Sequence, residues 1–96
     1  MSESVVTLSA PIKAHDQEIS QLTLRRPTGK DVREMGYPYK LDASQAVILQ
    51  SGVIAAYVAR LADIPPSSVD LLDPVDLNAL GLEIVGFFLV SDPNRG

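Results

Sequence analysis

The first quarter of the chain alternates in part between apolar and polar positions, most clearly over residues 22–24. The alternation is found in residues 5–12, "VVTLSAPI", and in residues 17–24, "QEISQLTL". A period of two residues together with many β-formers predicts two strands, and the polar "KAHDQ" between them predicts an antiparallel hairpin with a loop of roughly four residues. Pro11 has no amide hydrogen to donate, which places it at a sheet edge or in a bulge late in the first strand.

The hairpin segment, residues 5–26, ends where the pattern changes. Pro27 removes a ladder donor and closes the second strand. Thr28 then has the features of a helix N-cap, and Asp31, three residues on, completes an approximate capping box. These signals predict a short helix over about 28–35, with Gly36 as its C-cap.

The longest apolar segment, residues 43–62, predicts the main helix, with Asp42 or Ser44 as its cap. Its apolar positions cover more of the helix circumference than the stripe of about 100° on an ordinary surface helix. One stripe, formed by Val47, Ile54, Val58 and Leu61, is assigned to the core. A neighbouring stripe is formed by Leu49, Val53, Ala56 and Arg60.

The remaining pattern predicts short helical elements and one last helix. "IPPSS" ends the main helix, and Ser67 with Asp70 suggests a cap for one short turn. Asp73, Pro74 and Asp76 follow the order cap, first-turn proline and first-turn acid, which predicts a helix over about 74–90. The predicted fold class is therefore α+β, an N-terminal antiparallel β-hairpin followed by a small C-terminal bundle of three to four helices. We expect one domain over residues 1–96, with the hairpin over 5–26, the helical part over 28–90, and frayed ends at 1–4 and 91–96.

Composition and the lack of catalytic motifs argue against a secreted protein, a membrane protein and an enzyme. Formal net charge is −4, aromatic residues make up only 5% against 46% hydrophobic residues, and cysteine is absent. We expect no secretion signal, since the N-terminus lacks an early basic residue and a long apolar run, and no membrane-spanning helix. The sole histidine, His15, lies in the predicted hairpin loop, and no catalytic or metal-binding pattern is present. We therefore expect neither enzymatic activity nor a cofactor.

The Arg25–Arg26 pair raises the question of nucleic-acid binding. With Lys30 and Arg33 it forms a candidate basic patch, but Asp31 and Glu34 lie among these residues. An acidic chain is the opposite of what phosphate binding favours, so we expect no measurable binding to duplex DNA at physiological salt. We expect the two arginines to pair with acidic helix caps or with acids of a partner. Alanine at both positions should leave the protein folded, because exposed ion pairs contribute only about 0–1 kcal/mol each.

The strongest signal is an excess of apolar surface for so small a fold. Two helices with apolar residues on nearly all sides cannot both be covered, which favours an interaction protein: a homo-oligomer or a binder of another hydrophobic chain. The candidate partner-binding residues lie on the second stripe of the main helix and on the last helix: Leu49, Val53, Ala56, Arg60, Val85, Phe88 and Leu89. The alternative is that all seven are ordinary core residues.

Two motifs resemble a known family. The run "LTLRRPTGKD", with Leu24, Arg25, Arg26, Pro27 and Asp31, resembles the opening of phage tail assembly chaperones of the Mu and P2 type. The run "LDPVDLNAL", with Asp73, Pro74, Asp76 and Leu77, is similar to a segment near their end. The resemblance covers about residues 5–90.

This resemblance implies a chaperone that binds the tape measure protein, a long hydrophobic helical chain, and keeps it soluble until the tail tube polymerises around it. It also implies location in the cytoplasm of the bacterial host, absence from the mature particle, and a possible longer form made by frameshifting. Two other classes stay open: a stable structural component of a tail or baseplate, and a small acidic regulatory or antitoxin-like protein.

Overall fold

The computed structural model describes residues 3–89 and has the α+β architecture predicted from the sequence. An antiparallel hairpin comes first, and helices dominate the second half. In chain order the elements are β1 (Ser4–Ala14), β2 (Gln17–Leu24), α1 (Gly29–Met35), β3 (Tyr39–Leu41), β4 (Val47–Leu49), α2 (Ser51–Ala62), α3 (Pro66–Val69) and α4 (Pro74–Leu89). The predicted frayed ends fall largely outside the described residues, as does position 90 of the predicted last helix.

The β1–β2 hairpin has a tighter turn than the sequence predicted. His15 and Asp16 alone connect the strands, with φ angles of 54° and 60°. Two consecutive residues at positive φ are typical of a type I′ turn, whose twist matches that of the flanking strands. The predicted loop of roughly four residues was therefore too long.

A large bulge interrupts β1 at the predicted proline. Thr7 pairs with Gln21 and Ile12 with Ile19, so the four residues between Thr7 and Ile12 face Ser20 alone. Pro11 lies in this bulge, which confirms the predicted irregularity. The bulge bends β1 and turns the backbone amides of Ser9 and Ala10 towards α4.

Helix α1 forms as its capping residues predicted. The Thr28 side chain accepts from the Asp31 amide, and the Asp31 side chain accepts from the Thr28 amide, so the capping box is complete. Gly36 is the C-cap, with φ 82° and ψ −174°. Its carbonyl oxygen accepts a 2.7 Å hydrogen bond from the hydroxyl of buried Tyr57, which joins α1 to α2.

Gly36→Ala should lower the free energy of unfolding by about 1–2 kcal/mol, since this backbone conformation is almost restricted to glycine. Gly52→Ala is the matched control: a Cβ at position 52 meets no atom within 4 Å, and alanine favours a helix. Urea unfolding of both variants measures the difference. Equal stability of the two variants would contradict the strain assigned to Gly36.

The predicted main helix begins later than expected. Residues 43–50 are not helical: β3 and β4 form a second antiparallel hairpin, and α2 starts at Ser51 with Gln50 as its N-cap. Asp42 does not cap a helix, because its Oδ1 accepts from the Ser44 amide and hydroxyl and from the Ala46 amide, which closes the hairpin turn. The runs "YKL" and "VIL" on either side are good strand formers, so the local turn outcompeted the helical period.

The other helix boundaries agree with the sequence more closely. Helix α2 ends at Ala62, with Asp63 in the left-handed region. The Ser67–Asp70 cap is wrong, because Pro65 is the N-cap of α3 and the structure shows no side-chain cap there. Asp73 does cap α4, since its Oδ1 accepts from the Val75 amide.

The hydrophobic core lies between the inner face of the β1–β2 hairpin, α2 and α4. Leu24, Tyr57, Val58, Leu80 and Ile84 are fully buried there. Helices α2 and α4 approach closely at Gly81, where a Cβ would lie 2.8 Å from the Ile54 Cδ1 atom. This packing fixes which face of each helix remains for other molecules.

Candidate functional site

An ion-pair cluster centred on Asp31 joins β2, α1 and α2. The Arg25 guanidinium donates two hydrogen bonds of 2.8 and 3.1 Å to the Asp31 carboxylate, and Arg60 donates one of 3.2 Å. The Thr28 amide donates a further bond of 2.8 Å. Asp31 is 2% exposed, so a buried charge is surrounded by donors from three elements.

The electrostatics of this cluster follow from those contacts. The Arg25 hydrogen bond, helped by the Thr28 amide and by Arg60, holds the pKa of Asp31 far below its usual range, although burial acts in the opposite direction. The pKa of Arg60 is raised, first by its 2.6 Å hydrogen bond to Glu34 and then by Asp31. Asp31 and Arg60 are therefore both charged at neutral pH.

The two arginines of the conspicuous pair diverge. Arg25 turns towards Asp31, and its backbone amide donates to the Leu61 carbonyl. Arg26 points to α4, where it donates to the Phe87 carbonyl at 3.4 Å, and its Cζ lies 6.0 Å from the centre of the Phe87 ring. The pair thus ties the end of β2 to three helices, in agreement with the predicted pairing of Arg25 with an acidic cap.

A polar cleft of about 530 Å³ opens beside the cluster. Its lining residues are Arg25, Thr28, Lys30, Asp31, Glu34 and Arg60. The cleft contains three cations and two carboxylates, and Arg25 and Arg60 both bind Asp31. Little positive charge therefore remains to bind a phosphate backbone. Among residues 3–89, no cluster of three or more His, Cys, Asp or Glu side chains is arranged to hold a metal ion.

A second buried carboxylate holds the bulge of β1. Asp76 is 4% exposed and accepts from the Ser9 amide at 2.9 and 3.0 Å, from the Ser9 hydroxyl and from the Ala10 amide. The Ser9 amide is the main cause of the lowered pKa of Asp76. The sequence treated Asp76 as a helix-capping acid. In the structure it makes a long-range tether between α4 and β1.

An apolar groove of about 230 Å³ lies between β4, the start of α2 and the start of α4. It is lined by Leu49, Ser51, Ile54, Pro74, Leu77 and Asn78. Its volume suits one large aliphatic or aromatic side chain. Leu49 and Leu77, two residues that the sequence singled out for different reasons, meet in this groove.

The predicted partner-binding residues do not form one surface. Leu49 and Val53 are half-buried, Ala56 is exposed, and Leu89 is exposed on α4. Arg60 is held by Asp31 and Glu34, while Val85 is buried in the core and its side chain is not available to a partner. Phe88 is half-buried among the rings of Tyr37, Tyr39 and Tyr57, at centroid distances of 5.8–6.0 Å.

The family-motif positions serve mainly to hold the fold. Leu24 is fully buried, and Pro27 is half-buried at the end of the hairpin. Pro74 and Leu77 border the groove. The motifs therefore contain the two buried carboxylates, Asp31 and Asp76, and two residues that line the groove.

Sequence reasoning missed an exposed apolar hairpin. Leu41 and Val47 are cross-strand partners on β3 and β4, and both are exposed, as are Tyr37 and Ile48. The available signal was the "DASQ" turn between two strand-forming runs, which the helical assignment of residues 43–50 concealed.

A family model described as "Phage tail assembly chaperone proteins, E, or 41 or 14" matches residues 5–89. No curated protein and no solved structure matches the chain. None of the helices within residues 3–89 has both the length and the apolar character required to cross a membrane.

Proposed function

The chain belongs to the phage tail assembly chaperone family, and we propose that it binds the tape measure protein and keeps this hydrophobic helical client soluble until the tail tube polymerises around it. In this proposal it acts in the cytoplasm of the bacterial host during assembly and is absent from the mature particle. The general chaperone role comes from the family. The client and the mode of action are our inference.

The observation that carries the proposal is the amount of large apolar surface outside the core. Among the described residues, the large exposed hydrophobics are Val5, Tyr37, Leu41, Val47, Ile48, Leu71, Val75, Leu82 and Leu89. Several of them are contiguous, on the β3–β4 hairpin and along α4. Contiguous exposed apolar surface on a small acidic protein is typical of an interaction site.

The groove supplies a defined pocket within that surface. Leu49 and Leu77 form apolar walls, and the neighbouring Val53 is half-buried at the start of α2. A helical client would insert one large side chain here, as an anchor residue does in helix-in-groove recognition. Leu49 is therefore our proposed client residue in the groove, and Val53, Ala56 and Leu89 remain proposed client residues outside it.

Co-expression with a phage tape measure protein tests the proposal. The parent should raise the soluble fraction of the client, whereas Leu49→Asp and Val53→Asp should abolish the effect, because a charge in the groove at Leu49, or at Val53 next to the groove residue Ile54 in the chain, opposes apolar docking. Thr7→Asp adds the same charge at an exposed position of β1 that is not part of this apolar surface, and it serves as the control.

Thermal unfolding of each variant separates docking from folding. Both groove variants should keep a cooperative transition, because neither side chain is fully buried. A parent protein that leaves the client insoluble would overturn the function. Folded groove variants that still protect the client would overturn only the assignment of these residues.

A further inference from the structure

Helix α4 presents a continuous apolar stripe to solvent. Val75, Ala79, Leu82, Gly86 and Leu89 follow one another at intervals of four, three, four and three residues. Val75 is 69% exposed, Leu82 58% and Leu89 54%. These five residues are called the α4 seam.

The seam lies outside the protein's core: Val75, Ala79, Leu82 and Leu89 are exposed, and Gly86 is half-buried. The opposite side of α4 supplies Leu80, Ile84 and Val85 to the core. A Cβ at Gly86 would meet no atom within 4 Å, so the packing of residues 3–89 does not require glycine there. Since glycine is unfavourable inside a helix, close approach by a partner backbone is the physical reason for having it.

The spacing identifies the shape of the occupant. A repeat of four and three residues has a mean period of 3.5, which is the period at which one helix packs along another. Large side chains at 75, 82 and 89 alternate with small ones at 79 and 86, and this forms knobs and holes for a second helix. The side chains of a strand repeat every two residues and do not match this period.

The charges beside the seam identify the chemistry of the occupant. Helix α4 contains no lysine or arginine, and the exposed Glu83 flanks the seam while Asp73 lies at the start of the helix. Arg26, from the end of β2, reaches the carbonyl and ring of Phe87, one helical turn beyond Glu83, and α4 itself supplies only acidic charge beside the seam. A complementary helix therefore carries lysine or arginine beside its apolar positions.

We propose that the α4 seam docks one α-helix of another protein, with an apolar heptad stripe and basic flanking residues. This deepens the proposed function, on which it rests, by naming the surface and the class of helix that it accepts. A second copy of this chain fits less well, because its α4 brings Glu83 and no basic residue.

The size of the seam sets the expected affinity. Its side chains expose on the order of 300 Å² of apolar area, whereas a stable complex buries about 800 Å² per partner. A single seam should therefore bind weakly, with a Kd of about 10 µM to 1 mM. A long client that meets several copies or several surfaces at once would be held more tightly through avidity.

The direct probe is a synthetic helical peptide of about four heptads with leucine and alanine in its stripe and lysine in its flanks, titrated by NMR. We expect shifts of the α4 seam amides, and a weaker interaction with the same peptide carrying glutamate flanks. The difference between the two peptides should shrink at high salt.

Leu82→Glu should weaken lysine-peptide binding at least about tenfold, although its added charge favours a basic peptide at long range. Leu71→Glu introduces the same group at a site that is 59% exposed but lies outside α4, and it should bind like the parent. Both variants should keep the parent's melting temperature.

Gly86→Ala provides a test in which stability and binding change in opposite directions. It should raise the melting temperature, since alanine favours the helix and meets no neighbour. It should weaken peptide binding, because the methyl group keeps the partner backbone away. A variant that is more stable and binds equally well would contradict the close approach.

Three further results would overturn the proposal: no seam shifts with the lysine peptide, equal binding of both peptides at low salt, or a dimer of the parent that Leu82→Glu dissociates. The co-expression assay distinguishes failure of the seam proposal from failure of the proposed function. If Leu82→Glu still protects the tape measure protein, the seam is wrong while the function stands. If the parent itself does not protect, the function fails while the peptide titration still decides the seam.

Discussion

Arg25→Ala should lower the free energy of unfolding by about 2–3 kcal/mol, far more than a surface ion pair would suggest. Removing one partner of a buried ion pair typically costs about 3–5 kcal/mol, because the remaining charge is left without compensation. Here the loss should fall below that range, since Arg60 and the Thr28 amide still bind Asp31 and the Arg25 side chain is 41% exposed. Urea unfolding at neutral pH measures it.

Arg26→Ala is the matched control. It removes the same residue type one position along, but Arg26 contacts a carbonyl and an aromatic ring and no buried carboxylate. Its effect should stay within about 1 kcal/mol. The sequence treated both arginines as exposed. From the structure, we expect the double variant to lose at least as much stability as Arg25→Ala alone. Equal effects of the two single variants would contradict the pairing of Arg25 with the buried carboxylate.

The pH dependence of stability provides a second test of the same cluster. The folded state holds the pKa of Asp31 below the ordinary value of 3.8, so its stabilisation is complete above that value. As pH falls below about 4, the unfolded chain takes up the proton first and stability decreases, until the folded pKa is reached. Arg25→Ala raises the folded pKa and should flatten this decrease between pH 4 and pH 2, as measured by unfolding at a series of pH values.

Asp76→Ala should lower the free energy of unfolding by about 2–4 kcal/mol. The carboxylate accepts hydrogen bonds from two backbone amides and a hydroxyl in the β1 bulge, and bonds to a charged acceptor contribute about 1.5–3 kcal/mol each without being additive. Without them the bulge loses its attachment to α4. Hydrogen exchange at Ser9 and Ala10 should accelerate more than exchange in the rest of β1.

Asp73→Ala is the control for Asp76→Ala. Asp73 is an exposed cap of the same helix, three residues earlier, and its loss should cost about 1 kcal/mol with no change in exchange at the bulge. If Asp76→Ala were no more destabilising than Asp73→Ala, the tether would be unimportant and the capping interpretation from the sequence would suffice.

The two carboxylate tethers explain how a small domain keeps apolar surface exposed. Asp31 fastens the end of β2 to α1 and α2, and Asp76 fastens β1 to α4. These charge-assisted hydrogen bonds hold the helices in position. The helices can therefore leave one face exposed to solvent. The groove and the α4 seam thus include elements, α2 and α4, that these two carboxylates attach to the rest of the fold.

Local signals in the sequence determined much of this protein. The alternation in residues 17–24 specified a strand, and Thr28, Asp31 and Gly36 specified α1 together with its caps. Asp73 and Pro74 specified where α4 begins. Each of these depends on hydrogen bonds between residues close in the chain, so the sequence alone contains the necessary information.

Residues 43–50 show where local signals were insufficient. Their apolar spacing is compatible with a helix and with strands, and hydrogen bonds from Ser44 and Ala46 to Asp42 decided for the hairpin. The helical assignment placed Leu49 on a helix face, whereas it lies on β4 beside the groove. A short apolar segment cannot be assigned by periodicity alone.

Only the tertiary structure decided which apolar residues are core and which face solvent. Val85 and Leu89 have equal apolar character in the sequence, yet the first is buried and the second exposed, because α2 and the β1–β2 hairpin cover one side of α4. The same applies to the acids: Asp73 and Asp76 follow one capping pattern, but Asp76 bonds to a bulge 67 residues away in the chain. Contacts of that range depend on how the elements pack, and no local pattern records them.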